Sequence, residues 1–197
     1  IEFVKTINES GKHLLSLVEN IFDISLIETG EIKIMNEEFL ISPFMHNIKN
    51  SLKKEIASPE IKVEIRYKAP EDDDNVMVVT DGRRLNQIIV NLLKNALKFT
   101  NEGYIEFGYS PEIINQQAVL KFYVKDTGIG ITREKQKVIF DIFRQGDDTY
   151  TRRYDGVGIG LSLSKKMTEL LGGNMWLESE EGKGSCFYFT IPMVRKL

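Results

Sequence analysis

The sequence predicts an α/β fold, because helical and strand patterns alternate along the chain. Residues 61–67 alternate apolar with charged side chains, which is typical of a half-buried strand. Residues 81–100 instead place apolar side chains on one side of a helix. Glycine-rich turns at 126–131 and 156–161 lie next to a predicted strand and a predicted helix, respectively. The pattern indicates a sheet packed on helices, with two turns at which the backbone can approach a ligand closely.

The composition of the 197 residues indicates one folded core with an appendage. Hydrophobic residues make up 42% and charged residues 28%, and the net charge of −3 gives no general signal for nucleic acid or an anionic membrane. The single cysteine, Cys186, excludes a disulfide framework. No apolar run approaches the ~18 residues that span a bilayer, and no signal peptide is visible. We expect a soluble, cytosolic piece of a longer protein, since Ile1 already lies inside a helical pattern.

The first 28 residues are predicted to form a helix whose apolar side chains need a partner. The apolar positions follow heptad spacing and are Val4, Ile7, Leu14, Val18 and Ile21. Gly30 suits the left-handed cap that ends such a helix. We expect helix 1–29 to be an outlying arm that contacts a missing helix or a second chain, and we interpret His13 as a packed or interfacial side chain.

Local signals predict the next elements. Ser42 has the character of an N-cap followed by Pro43 in the first turn, which would open a helix to about Ile56. Asp81 is predicted to cap the helix that follows a short strand at 76–79. The other predicted strands are a weak one at 31–39, a hairpin of 104–109 and 118–125 with a long polar loop, and a second hairpin of 175–178 and 185–191. Two further helices are predicted, one at 133–143 and one from the glycine-rich turn at 156–161 to about 171.

Three polar residues form a line along helix 81–100. Asn91, Asn95 and Lys98 are spaced at i, i+4 and i+7. A carboxamide oxygen is a hard, neutral ligand that Mg²⁺ accepts beside water and substrate phosphates. The Lys98 ammonium could then neutralise a phosphate oxygen. For these residues alone, an amphipathic helix with a solvated polar face is the better interpretation; the glycine-rich turns downstream are what favour a ligand site.

The first glycine turn begins with an acid, in the segment Asp126-Thr127-Gly128-Ile129-Gly130-Ile131. A strand that delivers Asp126 into this turn places a carboxylate where it could accept a hydrogen bond from an exocyclic amine and so select adenine. Taken alone, the segment is better explained as an Asx turn that closes a strand.

The second glycine turn, with Gly156, Gly158 and Gly160, opens a helix. It matches neither the Rossmann fingerprint nor a P-loop. Glycines at a helix N-terminus nevertheless offer N–H donors and the positive end of the helix dipole to a phosphate. The preceding polar stretch carries Arg152 and Arg153 and is interpreted as a mobile lid.

Five motifs occur in a fixed order over residues 81–192. They are Asn91-x-x-x-Asn95-Ala96-x-Lys98-Phe99-Thr100, Asp126-Thr127-Gly128-Ile129-Gly130-Ile131, Phe140-Asp141-Ile142-Phe143, Gly156-Val157-Gly158-Ile159-Gly160-Leu161 and Gly182-Lys183-Gly184-Ser185-x-Phe187. In this order they resemble the asparagine, glycine and phenylalanine boxes of two-component sensor histidine kinases, members of the GHKL group of ATPases. Helix 1–29 is similar to the second helix of that family's dimerisation and phosphotransfer hairpin.

The resemblance implies a two-layer α/β sandwich of the Bergerat type, a mixed sheet packed on helices, with an N-terminal helical arm. It divides the chain into residues 1–30, a partial phosphotransfer hairpin, and residues 31–197, a catalytic ATP-binding domain. ATP and Mg²⁺ are the implied cofactors. Nucleotide would lie between helix 81–100 and the lid.

The resemblance also implies a role for each site residue. Asn95 would hold Mg²⁺, Asn91 would support the metal and phosphate site, and Lys98 would meet a phosphate. The implied nucleotide-binding residues are Asp126 at the adenine amine, Gly128 and Gly130 around it, Arg152 or Arg153 at the γ-phosphate, Gly156, Gly158 and Gly160 in the lid, and Leu161 and Ser185. Asp155 departs from the family pattern, because many relatives have another glycine there.

The implied activity is transfer of the ATP γ-phosphoryl group to a histidine and then to an aspartate on a response regulator receiver domain. The acceptor histidine would lie on a helix before Ile1, and neither His13 nor His46 has its expected acidic neighbour. The implied partners therefore also include this protein's own phosphotransfer helix and a second subunit. The parent protein would lie in the cell membrane, with this part in the cytoplasm, no membrane contact and no nucleic acid partner.

Two alternatives stay open. An ATP-hydrolysing clamp of the gyrase or mismatch-repair type would carry a glutamate at the position of Asn91, and a carboxamide is a poor general base. A nucleotide-sensing scaffold without transfer activity would keep the same motifs.

Overall fold

A computed structural model describes residues 2–56, 62–71, 76–141 and 158–193. The described helices are α1 Glu2–Glu28, α2 Ile41–Glu55, α3 Gly82–Phe99, α4 Arg133–Gln136 and α5 Gly160–Leu170. The described strands are β1 Glu37–Leu40, β2 Lys62–Lys68, β3 Met77–Thr80, β4 Glu102–Ile114, β5 Gln117–Asp126, β6 Met175–Glu180 and β7 Gly184–Pro192.

The main sheet has five strands in the order β2-β4-β5-β7-β6. The β2–β4 pair is parallel and the other pairs are antiparallel, so the sheet is mixed. Three fully buried rings, Phe107, Phe122 and Phe189, come from three adjacent strands, and they share the core with side chains of the helices. The apolar stripe of α3, with Leu85, Ile88 and Leu92 among its members, lies in the same core. The predicted sandwich of one mixed sheet on helices is therefore confirmed.

Asp81 begins α3, as predicted. One carboxylate oxygen, Oδ1, accepts a hydrogen bond from the Arg84 backbone N–H at 3.0 Å. The other, Oδ2, accepts one from the Met35 backbone N–H at 3.0 Å. The cap thus also fixes the segment that connects α1 to β1.

Four local predictions were wrong or too broad. The weak strand predicted at 31–39 is confined to Glu37–Leu40. The β4–β5 connection is not a long polar loop: both strands extend to a two-residue turn at Asn115 and Gln116, whose φ values of 50° and 66° are left-handed. Ser42 does not cap α2, because the helix begins one residue earlier at Ile41, whose backbone N–H is held by the Val76 carbonyl. Tertiary pairing here overrides the capping signal.

The helix predicted over 133–143 is also shorter than expected. Only Arg133–Gln136 is α-helical, and the turns that follow use three-residue spacing, with Val138 N–H donating to the Lys135 carbonyl at 3.0 Å. The Gln136 side chain donates to the carbonyls of Ile131 and Ser179, which ties this segment to the neighbouring loop and strand. Residues 142–143 of the predicted helix lie outside the described residues.

The C-terminal end of α1 is packed against the rest of the chain. The Arg84 Nη1 on α3 donates to both Asp23 carboxylate oxygens at 2.9 Å, and only 6% and 14% of these side chains are exposed. Gln87 completes the cluster by donating to Asp23 at 2.8 Å. Glu28 forms an ion pair with Lys166 on α5. The predicted arm is thus anchored at one end to both helices that flank the predicted site.

The other part of α1 presents apolar side chains outward. More than half of each of these side chains is exposed: Ile7, Leu14, Leu15, Val18, Ile21 and Phe22. Contact of these side chains with a missing helix or a second chain stays a prediction. None of the described helices combines the length and apolarity required to cross a membrane.

We expect Asp23→Asn to lower the free energy of unfolding by about 2 kcal/mol, because it leaves the buried Arg84 guanidinium without its counter-charge. Urea denaturation measures this change. Glu64→Gln is the matched control, because it breaks an exposed ion pair. The Glu64 side chain is 62% exposed and that of its partner Arg66 is 43% exposed, so the pair contributes little to stability. A loss for Asp23→Asn no larger than that of the control would contradict the anchoring role.

Candidate functional site

The predicted line of polar side chains lies on α3 as expected. Asn91, Asn95 and Lys98 are all partly buried beside the core. The Asn91 Nδ2 donates to the Ser164 hydroxyl on α5 at 2.7 Å. The hydrogen bonds among the described residues do not involve the Asn95 carboxamide. The Lys98 Nζ lies 5.3 Å from the centroid of the Phe99 ring.

The chemistry of these donors suits a hard cation. Two carboxamides on successive turns supply neutral oxygens of the type that Mg²⁺ accepts. No group of three His, Cys, Asp or Glu side chains is placed to bind a metal within the parts of the chain that the structure describes. Among the described residues, a cation at this site would have amide oxygens as its protein ligands, with ligand phosphates and water completing its coordination.

Asp126 is a buried carboxylate held by the backbone. Only 5% of the residue is exposed, and its Oδ1 accepts hydrogen bonds from Gly128 N–H at 2.9 Å and Ser185 N–H at 3.3 Å. The Asx turn considered from the sequence is thus present. Burial raises the pKa of Asp126, and the two backbone N–H donors partly oppose that shift. The hydrogen bonds among the described residues do not involve Oδ2, so this oxygen can accept one from a ligand.

The glycines after Asp126 lie where no side chain fits. A Cβ on Gly128 would be 2.2 Å from the Phe99 carbonyl oxygen at the end of α3. A Cβ on Gly130 would be 2.0 Å from the Glu180 carbonyl oxygen, and its φ of +66° is left-handed. Ile129 N–H donates to the Phe99 carbonyl at 3.2 Å. The turn is therefore held between α3 and the β6–β7 connection, which fixes the position of Asp126.

The second glycine turn meets the polar line of α3. Gly158 has a φ of +73°, and a Cβ on Gly160, the first residue of α5, would be 2.6 Å from Asn91 Oδ1. The next residue, Leu161, packs partly buried against the core. Four predicted lid residues, Arg152, Arg153, Asp155 and Gly156, lie outside the described residues.

The structure thus brings the predicted residues together in two groups. Asn91 meets Gly160, and Asp126 meets Gly128 and Ser185. The two groups are linked by α3, whose C-terminal Phe99 supports the first glycine turn. Their roles in ligand binding remain predictions.

Two serines at the site were missed from the sequence. Ser164 accepts from Asn91, and its position one turn after Gly160 on α5 is the only signal that could have indicated it. The Ser179 hydroxyl accepts from Ile131 N–H at 2.8 Å and donates to the Gly184 carbonyl at 2.9 Å. It joins the first glycine turn to the β6–β7 connection, a contact between distant segments that no local pattern reveals.

Comparison with known proteins gives a family match over most of the folded core. Residues 80–195 match the family model described as histidine kinase-, DNA gyrase B-, and HSP90-like ATPase. The chain is 38% identical over 194 residues to hybrid signal transduction histidine kinase B of Dictyostelium discoideum, which covers 97% of this chain and 10% of that protein. It is 37% identical over 192 residues to the autoinducer 2 sensor kinase/phosphatase LuxQ of Vibrio vulnificus, covering 96% of this chain and 22% of that protein.

A solved structure shows the same fold. The chain superimposes on full-length ShkA in complex with AMPPNP with a TM-score of 0.80 and 27% identity, covering 99% of this chain and 39% of that one. The two curated relatives are much longer, since this chain spans about a tenth and about a fifth of their lengths.

We expect Asp126→Asn to lower ATP affinity by about 10- to 100-fold, because a charged acceptor for an amine is replaced by a neutral amide that can turn a donor toward it. Isothermal calorimetry measures the affinity. Burial raises the pKa of Asp126, so the carboxyl group ionises less readily in the folded state than in the unfolded state. Ionisation therefore lowers the free energy of unfolding as the pH rises through the raised pKa. The variant should therefore unfold at the same or a higher temperature at pH 7. Weaker binding together with a lower unfolding temperature would contradict a specific role.

We expect Gly128→Ala to lower the free energy of unfolding by about 1–3 kcal/mol and to weaken ATP binding, because the new methyl group displaces the turn from the Phe99 carbonyl. Thermal denaturation and calorimetry measure the two effects. Gly11→Ala, at a helical glycine with no atom within 4 Å of the added Cβ, is the control and should stabilise α1 by about 0.5–1 kcal/mol. Equal behaviour of the two variants would show that the contact at Gly128 is unimportant.

Proposed function

Because the chain belongs to the histidine kinase-, DNA gyrase B- and HSP90-like ATPase family, we propose that it is the ATP-binding catalytic part of a sensor histidine kinase and transfers the γ-phosphoryl group of ATP to a histidine outside this chain. Both named relatives at 37–38% identity are sensor or hybrid kinases. The proposal concerns the activity of the whole protein, of which this chain would supply the nucleotide site.

One observation favours transfer over hydrolysis. The first residue of the polar line on α3 is Asn91, whose carboxamide is hydrogen-bonded to Ser164. An amide cannot take a proton from water at neutral pH, so this position lacks the general base that a hydrolase would use. In a hydrolase, another group would have to activate the attacking water. The imidazole of a histidine acceptor needs no such activation, because its neutral form is already nucleophilic.

Each site residue has a part in the proposed reaction. The Asp126 Oδ2 accepts a hydrogen bond from the adenine amine, while its Oδ1 stays fixed by the backbone. The Asn95 oxygen holds Mg²⁺, which when bound neutralises phosphate charge and orients the transferred group. Lys98 lies three residues further along the helix and neutralises a phosphate oxygen. Positioning and charge neutralisation supply most of the catalysis.

The second glycine turn completes the proposed nucleotide site. Gly156, Gly158 and Gly160 let the lid close over the phosphates, and Arg152 or Arg153 meets the γ-phosphate. Gly160 is close to Asn91, which supports a site shared by the two segments. Leu161 and Ser185 support the site from α5 and β7.

The proposed acceptor and partners lie outside this chain. His46 is not assigned as the acceptor, because its neighbours Met45 and Asn47 provide no acidic group; its Nδ1 pairs with the Ser42 carbonyl at 2.9 Å and its ring packs against Tyr67. We propose that residues 1–30 form the second helix of a phosphotransfer hairpin and residues 31–197 the catalytic domain. The exposed apolar side of α1 then faces the missing helix and a second subunit, and the phosphoryl group passes to a receiver domain aspartate.

The proposal is tested with the native protein extended to include the segment before Ile1. Incubation with γ-labelled ATP and Mg²⁺ should give a label that is lost in acid and kept in base, as expected for phosphohistidine. Asn95→Ala should give little label. Rapid release of phosphate without labelled histidine would instead indicate a hydrolysing clamp, and ATP binding with neither product would indicate a nucleotide-sensing scaffold.

A further inference from the structure

The Asn91 carboxamide lies in a small cradle made by the first turn of α5. Its Nδ2 donates to the Ser164 hydroxyl at 2.7 Å. Its Oδ1 lies against the backbone of Gly160, where an added Cβ would be only 2.6 Å away. The amide is thus fixed by two residues spaced four apart on one side of α5.

This arrangement decides which edge of the amide is available. A carboxamide has a donor edge and an acceptor edge, and rotation about its terminal torsion exchanges them at little cost. The bond to Ser164 uses the donor edge and so keeps the oxygen on the opposite side. The hydrogen bonds among the described residues do not involve the Asn91 Oδ1, so this oxygen can accept from a cation-bound water or bind a cation, and it would repel an anionic phosphate oxygen.

Ser164 is itself rigidly held. Only 3% of the residue is exposed, and its carbonyl accepts a hydrogen bond from the Thr168 hydroxyl at 2.8 Å. Its neighbours Leu163 and Met167 are part of the core. Because α5 starts at Gly160, the last glycine of the second glycine turn, a shift of α5 would also move the hydroxyl that orients Asn91.

We propose that Ser164 is a positioning residue that holds the Asn91 oxygen toward the Mg²⁺ of bound Mg·ATP and thereby couples α5 to the metal side of the site. The inference rests on the proposed nucleotide-binding function. Ser164 touches neither nucleotide nor metal; it acts through Asn91.

The test is calorimetric titration of the chain with ATP, with Mg²⁺ and with EDTA instead. Ser164→Ala should raise the dissociation constant about five-fold with Mg²⁺ and less than about two-fold with EDTA. In an Asn91→Ala background the same substitution should have no further effect, because the group that it orients is gone. Ser164→Thr, which keeps the hydroxyl, should restore most of the affinity.

Thr190→Val is the matched control. It removes a buried hydroxyl on β7, which is 5% exposed and accepts a hydrogen bond from the Asn174 backbone N–H at 3.1 Å, away from Ser164 and Asn91. It should lower the unfolding temperature without changing the ratio of the two dissociation constants. Measured unfolding temperatures of all variants separate folding from positioning.

Each outcome has one meaning. Failure of the unmodified chain to bind ATP under either condition would contradict the proposed function itself. The positioning role of Ser164 alone would be overturned by two results, given normal ATP binding by the unmodified chain. In one, Ser164→Ala leaves the dissociation constant for ATP unchanged; in the other, it raises that constant equally with Mg²⁺ and with EDTA. Additive losses in the double variant would also overturn it, because Ser164 would then act independently of Asn91.

Discussion

The buried carboxylate of Asp126 is the constraint on which the proposed site depends. Its Oδ1 is bound by backbone N–H groups of Gly128 and Ser185, which belong to the first glycine turn and to β7. Burial alone would disfavour the charge, as the raised pKa shows, and the two backbone donors offset part of that cost. The fold therefore keeps in place a carboxyl group whose second oxygen takes no part in the hydrogen bonds among the described residues. In the proposed site, this oxygen is the acceptor that selects adenine.

Close approach of backbone to backbone supports this carboxylate from three sides. Gly128 lies against the Phe99 carbonyl, Gly130 against the Glu180 carbonyl, and Gly184 against the carbonyl of Asp126 itself. In each case an added Cβ would lie within about 2.2 Å of an oxygen. The glycines thus make the turn compact enough to join the end of α3 to the β6–β7 connection. The same helix carries Asn91 and Asn95, so the adenine side and the metal side of the proposed site share one rigid element.

Much of this arrangement could be predicted from the sequence where the signal is local. The cap at Asp81, the polar line on α3 and the alternation of β2 depend on residues close together in the chain, and each was confirmed. Predictions failed where distant segments decide the outcome. The carbonyl of Val76 sets the start of α2 despite Ser42, and pairing with a whole strand extends β4 through residues that resemble a polar loop. The hydrogen bond between Asn91 and Ser164 joins residues 73 positions apart, and the only local signal for it is the position of Ser164 one turn after Gly160.

The central claim is that an ionised Asp126 selects the ligand by accepting a hydrogen bond from the amine of adenine. The most direct measurement is parallel calorimetric titration of the unmodified chain with ATP and with GTP, both with Mg²⁺. Guanine has an acceptor carbonyl where adenine has its amine, so it would place two acceptors against each other. If Asp126 selects adenine in this way, ATP binds more tightly than GTP by at least about ten-fold. Equal affinities for ATP and GTP would contradict it, because the triphosphate alone would then account for binding.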